Sequence, residues 1–547
     1  MRRRPRLPLL LVLVGLLAAA CTGTGDPEST PTTLQRGGKV VVAIDQEPSR
    51  WNPNKPSDYA LGTLTQHVLP RAFRVMPNFE VVLDSDLLES ARQTNDDPQT
   101  IVYVIRDEAV WSDGTAITGD DFRYVWNQIT DPANDAASTA GYEDIASVDS
   151  SDERKTVTVV FERRYRDWQG LFNHLLPAHL MGGLEGGWDG LEGENIPTFS
   201  GGPFLLRDYE PAQSVRLVAN RDYWGRNKAA LDEIVIRFGI DASDIPAALE
   251  NDEIDVAYPQ PEPAVVEQVA KLAPGVTHRV TTGLTFEHLD FDLENEFLQD
   301  RAVRQAIAFA LDEQQLAERT VGALTEGGAS PLYNRIFAEG QPGYEAHGDA
   351  YRGVDVDAAV EVLEAAGYQR DDDGIFSKDG RRLTVRLTTT GGNALREATQ
   401  RVIKTQLKAA GIEATPDNEP GTAVFKRLFP DDPNARDFDA ALFSWVRPPF
   451  ASGNEPLYAT GSLANAMRYS NPDVDDLFAK ASRQLDDDDA AATYNQIDKI
   501  LWHDLPTIPL YASPSLLAFR SSVVNVRDNV TTAGPLWNAY EWARRDA

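Results

Sequence analysis

Cysteine is almost absent from this chain of 547 residues, in which Cys21 is the single example. One cysteine excludes an intramolecular disulfide, so burial of apolar side chains must hold the fold together. The apolar fraction of 42% and the aromatic fraction of 9% are typical of a globular protein rather than a disordered one. A chain of this length exceeds what one hydrophobic core usually supports, and we expect two or three lobes.

Positive charge is also scarce, because 52 Lys and Arg face 84 Asp and Glu, giving a formal net charge of −32. A surface that binds nucleic-acid phosphates needs a basic stripe, so this balance argues against a nucleic-acid partner. A solvated acidic surface explains the charge, and a cationic ligand is the alternative.

Catalytic motifs are missing as well. The chain contains no Gly-x-Ser-x-Gly elbow, no His-Glu-x-x-His zinc site and no Walker A loop. Residues 370–380 resemble a calcium loop only superficially, because Gly380 stands where a bidentate Glu is needed. We therefore expect no enzyme activity, no cofactor and no metal site. Paired carboxylates for glycoside hydrolysis are the one enzymatic arrangement that so acidic a chain leaves open.

The N-terminus has the pattern of a targeting segment. Basic residues at 2–6 precede a short apolar run at 7–20, which is below the ~20 residues that a membrane-spanning helix needs. The small residues directly before Cys21 resemble a bacterial lipobox, which implies signal cleavage and attachment of diacylglycerol to the Cys21 sulfur. An ordinary secretory signal with an incidental cysteine is the alternative. Residues 21–38 are polar and rich in Gly, Pro, Ser and Thr, which predicts a flexible tether.

The most distinctive stretch is WSDGTAITGDDFRYVW at residues 111–126. Asp113 and Gly114 predict a tight turn, and Thr118 with Asp121 predicts a capping box at a helix start. The apolar residues of the following helix recur at the helical period, and they are Phe122, Val125, Trp126 and Ile129. Taken alone, the stretch is a generic strand–turn–helix corner.

Elsewhere strands and helices alternate. Short apolar runs at 39–44, 100–105 and 438–445 predict buried strands. Asp300 and Asp312 stand where they can cap helices, and a helix broken at a proline is expected over 171–181. The pattern predicts an α/β protein.

Five stretches resemble, in the same order, the family 5 extracellular solute-binding proteins, which are the oligopeptide and dipeptide receptors of bacterial ABC importers. The resemblance covers roughly residues 39–530. The matching stretches begin with the one at 111–126 and continue with SGGPFLLRDYE…LDEIVIRF (200–238), ALENDEIDVAY (248–258), DRAVRQAIAFALDEQQL (300–316) and DAAVEVLEAAGY…GIFSKDGRRLTVRL (357–387).

This resemblance implies a periplasmic-binding-protein-like fold of type II, with a ligand cleft between two large α/β lobes and a smaller inserted lobe. The chain is expected to cross between the large lobes near 280–290 and again near 500. The implied division is a signal peptide at 1–20, a lipidated tether at 21–38, lobe I at 39–52, 200–282 and 501–547, the inserted lobe at 53–199, and lobe II at 283–500.

The resemblance also implies a function. The chain would be a monomeric receptor on the extracytoplasmic face of the cell membrane, which captures peptides or peptide-like solutes by hinge closure and delivers them to a permease and its ATPase. The alternatives are a receptor for a non-peptide anionic or modified ligand, such as a nickel complex, a sugar or a siderophore-like molecule, and a cell-surface hydrolase or a signalling or adhesion lipoprotein.

Two stretches resemble ligand-contacting parts of the family, namely the loop at 46–51 and SWVRPPF at 444–450. In peptide receptors of the family, an Asp three residues after the Trp pairs with the peptide α-ammonium, whereas Pro448 stands there in this chain. A guanidinium suited to carboxylate or phosphate precedes it. Core packing of Trp445 and a surface salt bridge of Arg447 are the alternatives. The predicted ligand-binding residues are Gln46, Glu47, Trp51, Trp445, Arg447 and Phe450.

Overall fold

The computed structural model describes residues 34–55, 59–151, 153–259, 261–325, 328–430 and 432–545. The predicted signal peptide and Cys21 therefore lie outside the described residues. The strands are β1 (Leu34–Gln35), β2 (Lys39–Ile44), β3 (Phe73–Val75), β4 (Val81–Leu83), β5 (Leu88–Asp96), β6 (Gln99–Ile105), β7 (Ile145–Ser151), β8 (Thr156–Phe161), β9 (Phe204–Glu210), β10 (Ser214–Ala219), β11 (Glu233–Phe238), β12 (Val256–Tyr258), β13 (Val276–Phe291), β14 (Gln369–Arg370), β15 (Phe376–Lys378), β16 (Arg381–Arg382), β17 (Thr384–Thr390), β18 (Glu413–Glu419), β19 (Ala440–Val446), β20 (Thr507–Arg520), β21 (Val523–Val524) and β22 (Ala543–Arg545).

The α-helices lie between these strands. They are α1 (Tyr59–Thr65), α2 (Gly119–Thr130), α3 (Ala178–Met181), α4 (Ile245–Glu250), α5 (Pro263–Ala270), α6 (Arg301–Ala310), α7 (Glu313–Thr320), α8 (Val356–Ala365), α9 (Ala394–Ala409), α10 (Gly421–Leu428), α11 (Glu455–Tyr458), α12 (Pro472–Ala481) and α13 (Asp487–Asp504).

One ten-stranded mixed sheet runs through the molecule, in the order β18-β17-β19-β13-β20-β12-β2-β11-β10-β9. Strand β2, whose sequence KVVVAI is almost wholly apolar, lies inside this sheet and pairs in parallel with both β11 and β12. A strand with neighbours on both sides and covered faces needs such a continuous apolar run. The predicted α/β class is confirmed.

The two longest strands of the sheet, β13 and β20, pair with each other along most of their length and join two hydrophobic cores. At one end of β20, Leu516 and Ala518 pack with Val276 of β13 in a core that belongs to the predicted lobe I. At the other end of β20, Ile508 and Leu510 pack with Leu289 in the core of the predicted lobe II. The register of the pair shifts between Thr282 and Phe286, which is where the change of core occurs.

Gly283 lies within this register shift and is required by close packing. A Cβ on Gly283 would stand 2.2 Å from the Cβ of Val530, a distance that no side chain tolerates. The segment around Val530 thus presses directly on β13, since the Leu284 amide also donates to the Val530 carbonyl.

These observations bear on the predicted lobe boundaries. We propose that the chain crosses between the lobes at Gly283 and again between Tyr511 and Leu516, because the cores change at these points. The second crossing proposed here lies later in the chain than residue 501, where the sequence suggested it. The predicted inserted lobe has its own four-stranded sheet, in the order β5-β6-β8-β7, but it shares one hydrophobic core with lobe I.

Most helix starts follow from local sequence. Thr118 and Asp121 form the predicted capping box of α2, and the side chains of Asp300 and Asp312 cap α6 and α7. In α6 the buried face includes Val303, Ala306, Ile307 and Ala310, as the helical period predicts.

Two local predictions were wrong. Within 171–181 the structure has helix only from Ala178, because Phe172 takes a positive φ of 56° and the preceding segment is a buried loop. The tether predicted for 21–38 ends earlier, since β1 pairs with β22 and the Gly37 amide donates to the Ala230 carbonyl.

Candidate functional site

The SWVRPPF stretch lies where the molecule passes from one core to the other. Strand β19 pairs with the second half of β13, so that Trp445 stands opposite Phe286. Directly after β19, the Arg447 amide donates to the carbonyl of Leu284 at 3.0 Å, beside the register shift of the crossing strands. The sheet therefore holds the stretch beside the proposed crossing between the lobes.

Trp445 is half-buried and belongs to a group of aromatic rings. Its indole lies 5.8 Å from the ring of Phe429 and 5.4 Å from that of Phe443, both edge-to-face. It also stacks on His288, with an angle of 6° between the planes and 6.3 Å between the centroids. Phe429 in turn contacts Phe425, whose ring is 56% exposed. The indole thus packs on part of its surface and leaves the rest accessible.

Arg447 is buried, with 1% of its surface exposed, and is not a surface ion pair. Its guanidinium lies 4.1 Å above the ring of Phe286, and Nη2 donates to the Asn334 carbonyl at 2.9 Å. Its Nε and Nη1 have no hydrogen-bond partner, and no carboxylate of the described residues lies within 4.0 Å of it. Burial lowers the pKa of Arg447 to about 10, so the side chain stays charged near neutral pH.

A second buried arginine lies in the same region but is paired. Asp498 contacts the Arg335 guanidinium at 3.5 Å, and the Arg335 amide donates to the same carboxylate at 2.9 Å. His347 Nδ1 lies 2.7 Å from the other oxygen of Asp498. The Asp498 carboxylate is thus already paired with Arg335 and His347. Arg447 has no carboxylate of its own to pair with.

A small cavity of about 10 Å³ lies beneath Trp445, enough for roughly one water molecule. Three of the residues that line it each carry a buried polar atom without a hydrogen-bond partner, namely His288 Nε2, Arg335 Nε and Thr507 Oγ1. Phe286 also lines this cavity, so it borders the ring on which Arg447 rests.

The loop at 46–51 packs against lobe I and the adjoining inserted lobe. The Glu47 carboxylate accepts from the Tyr209 hydroxyl at 2.6 Å and from the Ala212 amide at 2.8 Å. Trp51 is fully buried, packs on Tyr209 at 5.0 Å and donates its indole N–H to the Gly193 carbonyl. Gln46 is exposed. The structure brings Glu47 and Trp51 together through Tyr209, and it gives Trp51 no accessible surface for a ligand.

Phe450 lies at a contact between the inserted lobe and lobe II. Its ring stands 3.1 Å from where a Cβ on Gly170 would be. Close by, the Ser452 hydroxyl lies 3.2 Å from the Tyr165 hydroxyl, and the Ser452 amide donates to Asp167 at 3.3 Å. These contacts connect the end of the SWVRPPF stretch to the inserted lobe.

The same contact continues through Arg166. Its amide donates to the Ser482 carbonyl at 2.8 Å, and its guanidinium donates to the Gln484 carbonyl at 2.8 Å and to Asp487 at 2.7 Å. We call residues 165–170 with 450–454 and 482–487 the interlobe latch. Sequence reasoning missed it, and the only signal was the clustering of basic and aromatic residues in RRYRDWQ at 163–169.

The stretch at 111–126 has a structural role. The buried carboxylate of Asp121 accepts from the Thr118 amide at 2.8 Å and from the Ala178 amide at 2.9 Å. Lys155 Nζ donates to three backbone carbonyls around the preceding turn, those of Arg106, Ala109 and Ile117. The hydrogen-bonding capacity of Asp121 and Lys155 is thus used within the protein, and no ligand is needed to complete it.

Metal-binding clusters and membrane-spanning helices are both absent from the described part of the chain. Among the residues that the structure describes, no group of three or more His, Cys, Asp or Glu side chains is arranged to hold a metal ion. Within the same ranges, no helix combines the length and apolar character required to cross a bilayer.

Comparison with known proteins identifies the family. The profile of the bacterial extracellular solute-binding proteins, family 5 middle region, matches residues 83–467. The oligopeptide-binding protein OppA of Mycobacterium tuberculosis is 30% identical over 522 residues, covering 93% of this chain and 85% of OppA.

Two further matches extend the comparison. A probable monoacyl phosphatidylinositol tetramannoside-binding protein of the same organism, LpqW, is 30% identical over 452 residues, covering 74% of this chain and 69% of LpqW. The structure of a periplasmic EDTA-binding protein, EppA, superposes with a TM-score of 0.87 at 28% identity, covering 96% of this chain and all of EppA. The chain has the type II periplasmic-binding-protein fold and belongs to the family 5 bacterial extracellular solute-binding proteins.

Proposed function

We propose that this protein is the solute-binding subunit of an ABC importer, which captures a small peptide or peptide-like solute by closure of its two lobes and delivers it to a permease. The observation that carries this proposal is the pair of long strands β13 and β20, which connect two separate hydrophobic cores, together with the interlobe latch. A hinge and a closable contact are what a receptor needs if its ligand is to stabilise the closed state.

The relatives support small solutes with different organic frameworks. OppA is named for oligopeptides, LpqW for a phosphatidylinositol mannoside and EppA for EDTA. A peptide carries a terminal carboxylate, a phosphatidylinositol carries a phosphate, and EDTA carries several carboxylates. The chemistry that these ligands share is an anionic oxygen group.

A receptor for a non-peptide anionic solute is the second candidate, and one observation favours it. Pro448 cannot pair with a peptide α-ammonium. Two buried carboxylates of β13 that could substitute are occupied, because Glu287 accepts from Arg396 and Asp290 contacts His288. The cationic Arg447 has no carboxylate partner of its own.

We further propose that the mature chain is a monomer anchored by lipid at Cys21 on the extracytoplasmic face of the cell membrane. The basic segment, the short apolar run and the small residues directly before this cysteine support the anchor.

The experiment that tests the receptor role is to extract the protein natively with mild detergent and identify any co-purifying solute by mass spectrometry. The solute is then titrated into refolded, solute-free protein by calorimetry, and its uptake is compared in strains with and without the gene. We expect saturable one-to-one binding and loss of uptake in the deletion strain. Equal uptake in both strains would contradict the transport role.

A further inference from the structure

Arg447 is a buried cation whose surroundings in this structure satisfy only part of its hydrogen-bonding capacity. A guanidinium presents five N–H donors. One nitrogen of Arg447 donates to the Asn334 carbonyl, one face lies on Phe286, and Nε and Nη1 have no partner. Burying an ion without full pairing is unfavourable, so a buried arginine of this kind requires an explanation.

The charged groups around Arg447 do not supply that explanation. Asp498 is the carboxylate in its environment, but that carboxylate contacts Arg335 and His347. Tyr344 and Tyr458 contribute neutral rings, and burial raises the pKa of both hydroxyls. Asp498 is thus taken up by Arg335 and His347, and Arg447 has no carboxylate partner of its own.

Arg447 lies beside the register shift of the crossing strands and next to the half-buried Trp445. Trp445 and Arg447 are two residues apart at the end of β19, so extended geometry directs their side chains to the same face. The two residues also flank the same ring, because Trp445 stands opposite Phe286 in the sheet and Arg447 rests on it. An organic framework against Trp445 would thus bring an attached charged group towards Arg447.

We infer that Arg447 binds the anionic oxygen group of the captured solute, a carboxylate or a phosphate, and that Trp445 lies against the organic part beside it. This inference rests on the proposed receptor function and names the ligand class. Guanidinium nitrogens pair well with either oxyanion, and such charge-assisted bonds are the strong ones. The oxyanion supplies the missing negative charge and the acceptors for Nε and Nη1.

The latch explains how a solute reaches a side chain that is covered in this structure. Arg447 is followed within five residues by Phe450 and Ser452, which contact Gly170 and Tyr165 of the inserted lobe. Opening of the latch frees this segment at one end, while the Arg447 amide stays on Leu284 of the crossing strand. The anion therefore enters in the open form and is enclosed on closing.

The test compares the wild type with Arg447→Met and Arg447→Lys, with Arg401→Gln as the control because Arg401 is 68% exposed on α9. Solute-free proteins are melted in acetate or in phosphate at constant ionic strength, with chloride as the reference anion. We expect a saturable rise in Tm for the wild type and for Arg401→Gln, a weaker one for Arg447→Lys and none for Arg447→Met. In chloride, Arg447→Met should melt at or above the wild-type temperature, because it removes an uncompensated buried charge.

A second measurement uses the solute extracted with the native wild type, compared by mass spectrometry with what Arg447→Met retains. We expect an acidic solute in the wild type and at least about a hundredfold weaker binding of it by the variant, as for removal of one partner of a buried ion pair. Identical anion responses in wild type and Arg447→Met, or equal retention of the solute, would overturn the inference. Either result would leave the receptor function intact, since uptake by the deletion strain tests that separately.

Discussion

The guanidinium of Arg166 in the inserted lobe reaches the carboxylate of Asp487 at the start of α13 in lobe II, with 2.7 Å between Nη2 and Oδ1. Asp487 itself is 92% exposed, so this ion pair alone contributes little, about 0–1 kcal/mol. The bonds from Arg166 to two backbone carbonyls add to it.

We expect Arg166→Ala to weaken solute affinity by about tenfold, because the variant loses side-chain contacts between the inserted lobe and lobe II that we propose form on closure, worth about 1–2 kcal/mol. Calorimetry with the extracted solute measures the affinity, and small-angle scattering of the solute-free protein reports the opening. Arg164→Ala is the control, since Arg164 donates within its own lobe to the Asp96 carbonyl. Equal affinity of Arg166→Ala and wild type would show that the latch does not contribute to closure.

Trp445→Ala should weaken solute binding by about tenfold or more, because an aromatic wall supplies much of the contact area of a ligand site. Trp445→Phe should retain most of the affinity. The matched control is Trp537→Ala, a half-buried indole that donates to the Arg527 carbonyl. If Trp445→Ala lowers the Tm and leaves the affinity unchanged, the indole serves packing alone.

Asp121→Ala should lower the free energy of unfolding by about 2–4 kcal/mol and leave solute affinity unchanged. The substitution leaves the amides of Thr118 and Ala178 without their acceptor and removes the capping box of α2. Asp120→Ala is the control, because its exposed pairs with Arg123 and Arg154 are of the weak kind. Denaturant unfolding separates the two, and a small loss for Asp121→Ala would refute the structural role assigned to the stretch.

Glu313 should make stability fall as pH rises. Burial raises its pKa to about 8, although Arg335 and Arg352 act in the opposite direction and Asp312 adds to the rise. The folded state therefore binds a proton more tightly than the unfolded state, in which the pKa is near 4.5. Stability from this group is fully present below about 4.5 and is lost as pH rises towards 8.

Measurement of Tm against pH tests this sign. Glu313→Gln should stay neutral throughout, so the difference in Tm between the variant and the wild type should grow between pH 5 and pH 8. Glu318→Gln, on the exposed side of α7, is the control. Parallel curves for Glu313→Gln and wild type would show that Glu313 is already ionised in the folded protein.

Cys21→Ala should release the protein from the membrane fraction into the culture medium or periplasm, because the thioether to diacylglycerol can no longer form. Immunoblots of fractions measure this, and metabolic labelling with a fatty acid should mark the wild type alone. Unchanged membrane retention of Cys21→Ala, or a wild type that takes up no label, would disprove the anchor.

Local features could be predicted from the sequence and long-range ones could not. The capping box of α2 depends on residues three apart, and β2 is recognisable from its apolar run. The length of β20 was hidden by Pro509 and Pro514, which usually interrupt strands. In the structure Pro514 stands opposite Thr282 at the register shift, and Pro509 stands opposite His288 beside a second irregularity, so both prolines fall where the hydrogen-bond ladder is already broken.

The sequence indicated which stretch was a candidate for ligand contact, but it could not indicate what surrounds the side chains of that stretch in the fold. The sequence indicated Arg447 because it precedes the missing Asp. Its burial and lack of a carboxylate partner depend on Phe286, Asn334 and Asp498, which are distant in the chain. Likewise, Trp51 resembles a cleft residue in its loop, and only the packing of Tyr209 and the Gly193 carbonyl shows it to be enclosed.

The continuous ten-stranded sheet has a mechanical consequence. The lobes are connected through hydrogen-bonded strands rather than through free segments, so they cannot swing independently. We expect opening to bend β13 and β20 around Gly283, because the ladder is interrupted there. The angle between the lobes should therefore change as one bending motion. Because the Cβ of Gly283→Ala would collide with Val530, we expect that variant to alter the bending and to lose stability as well.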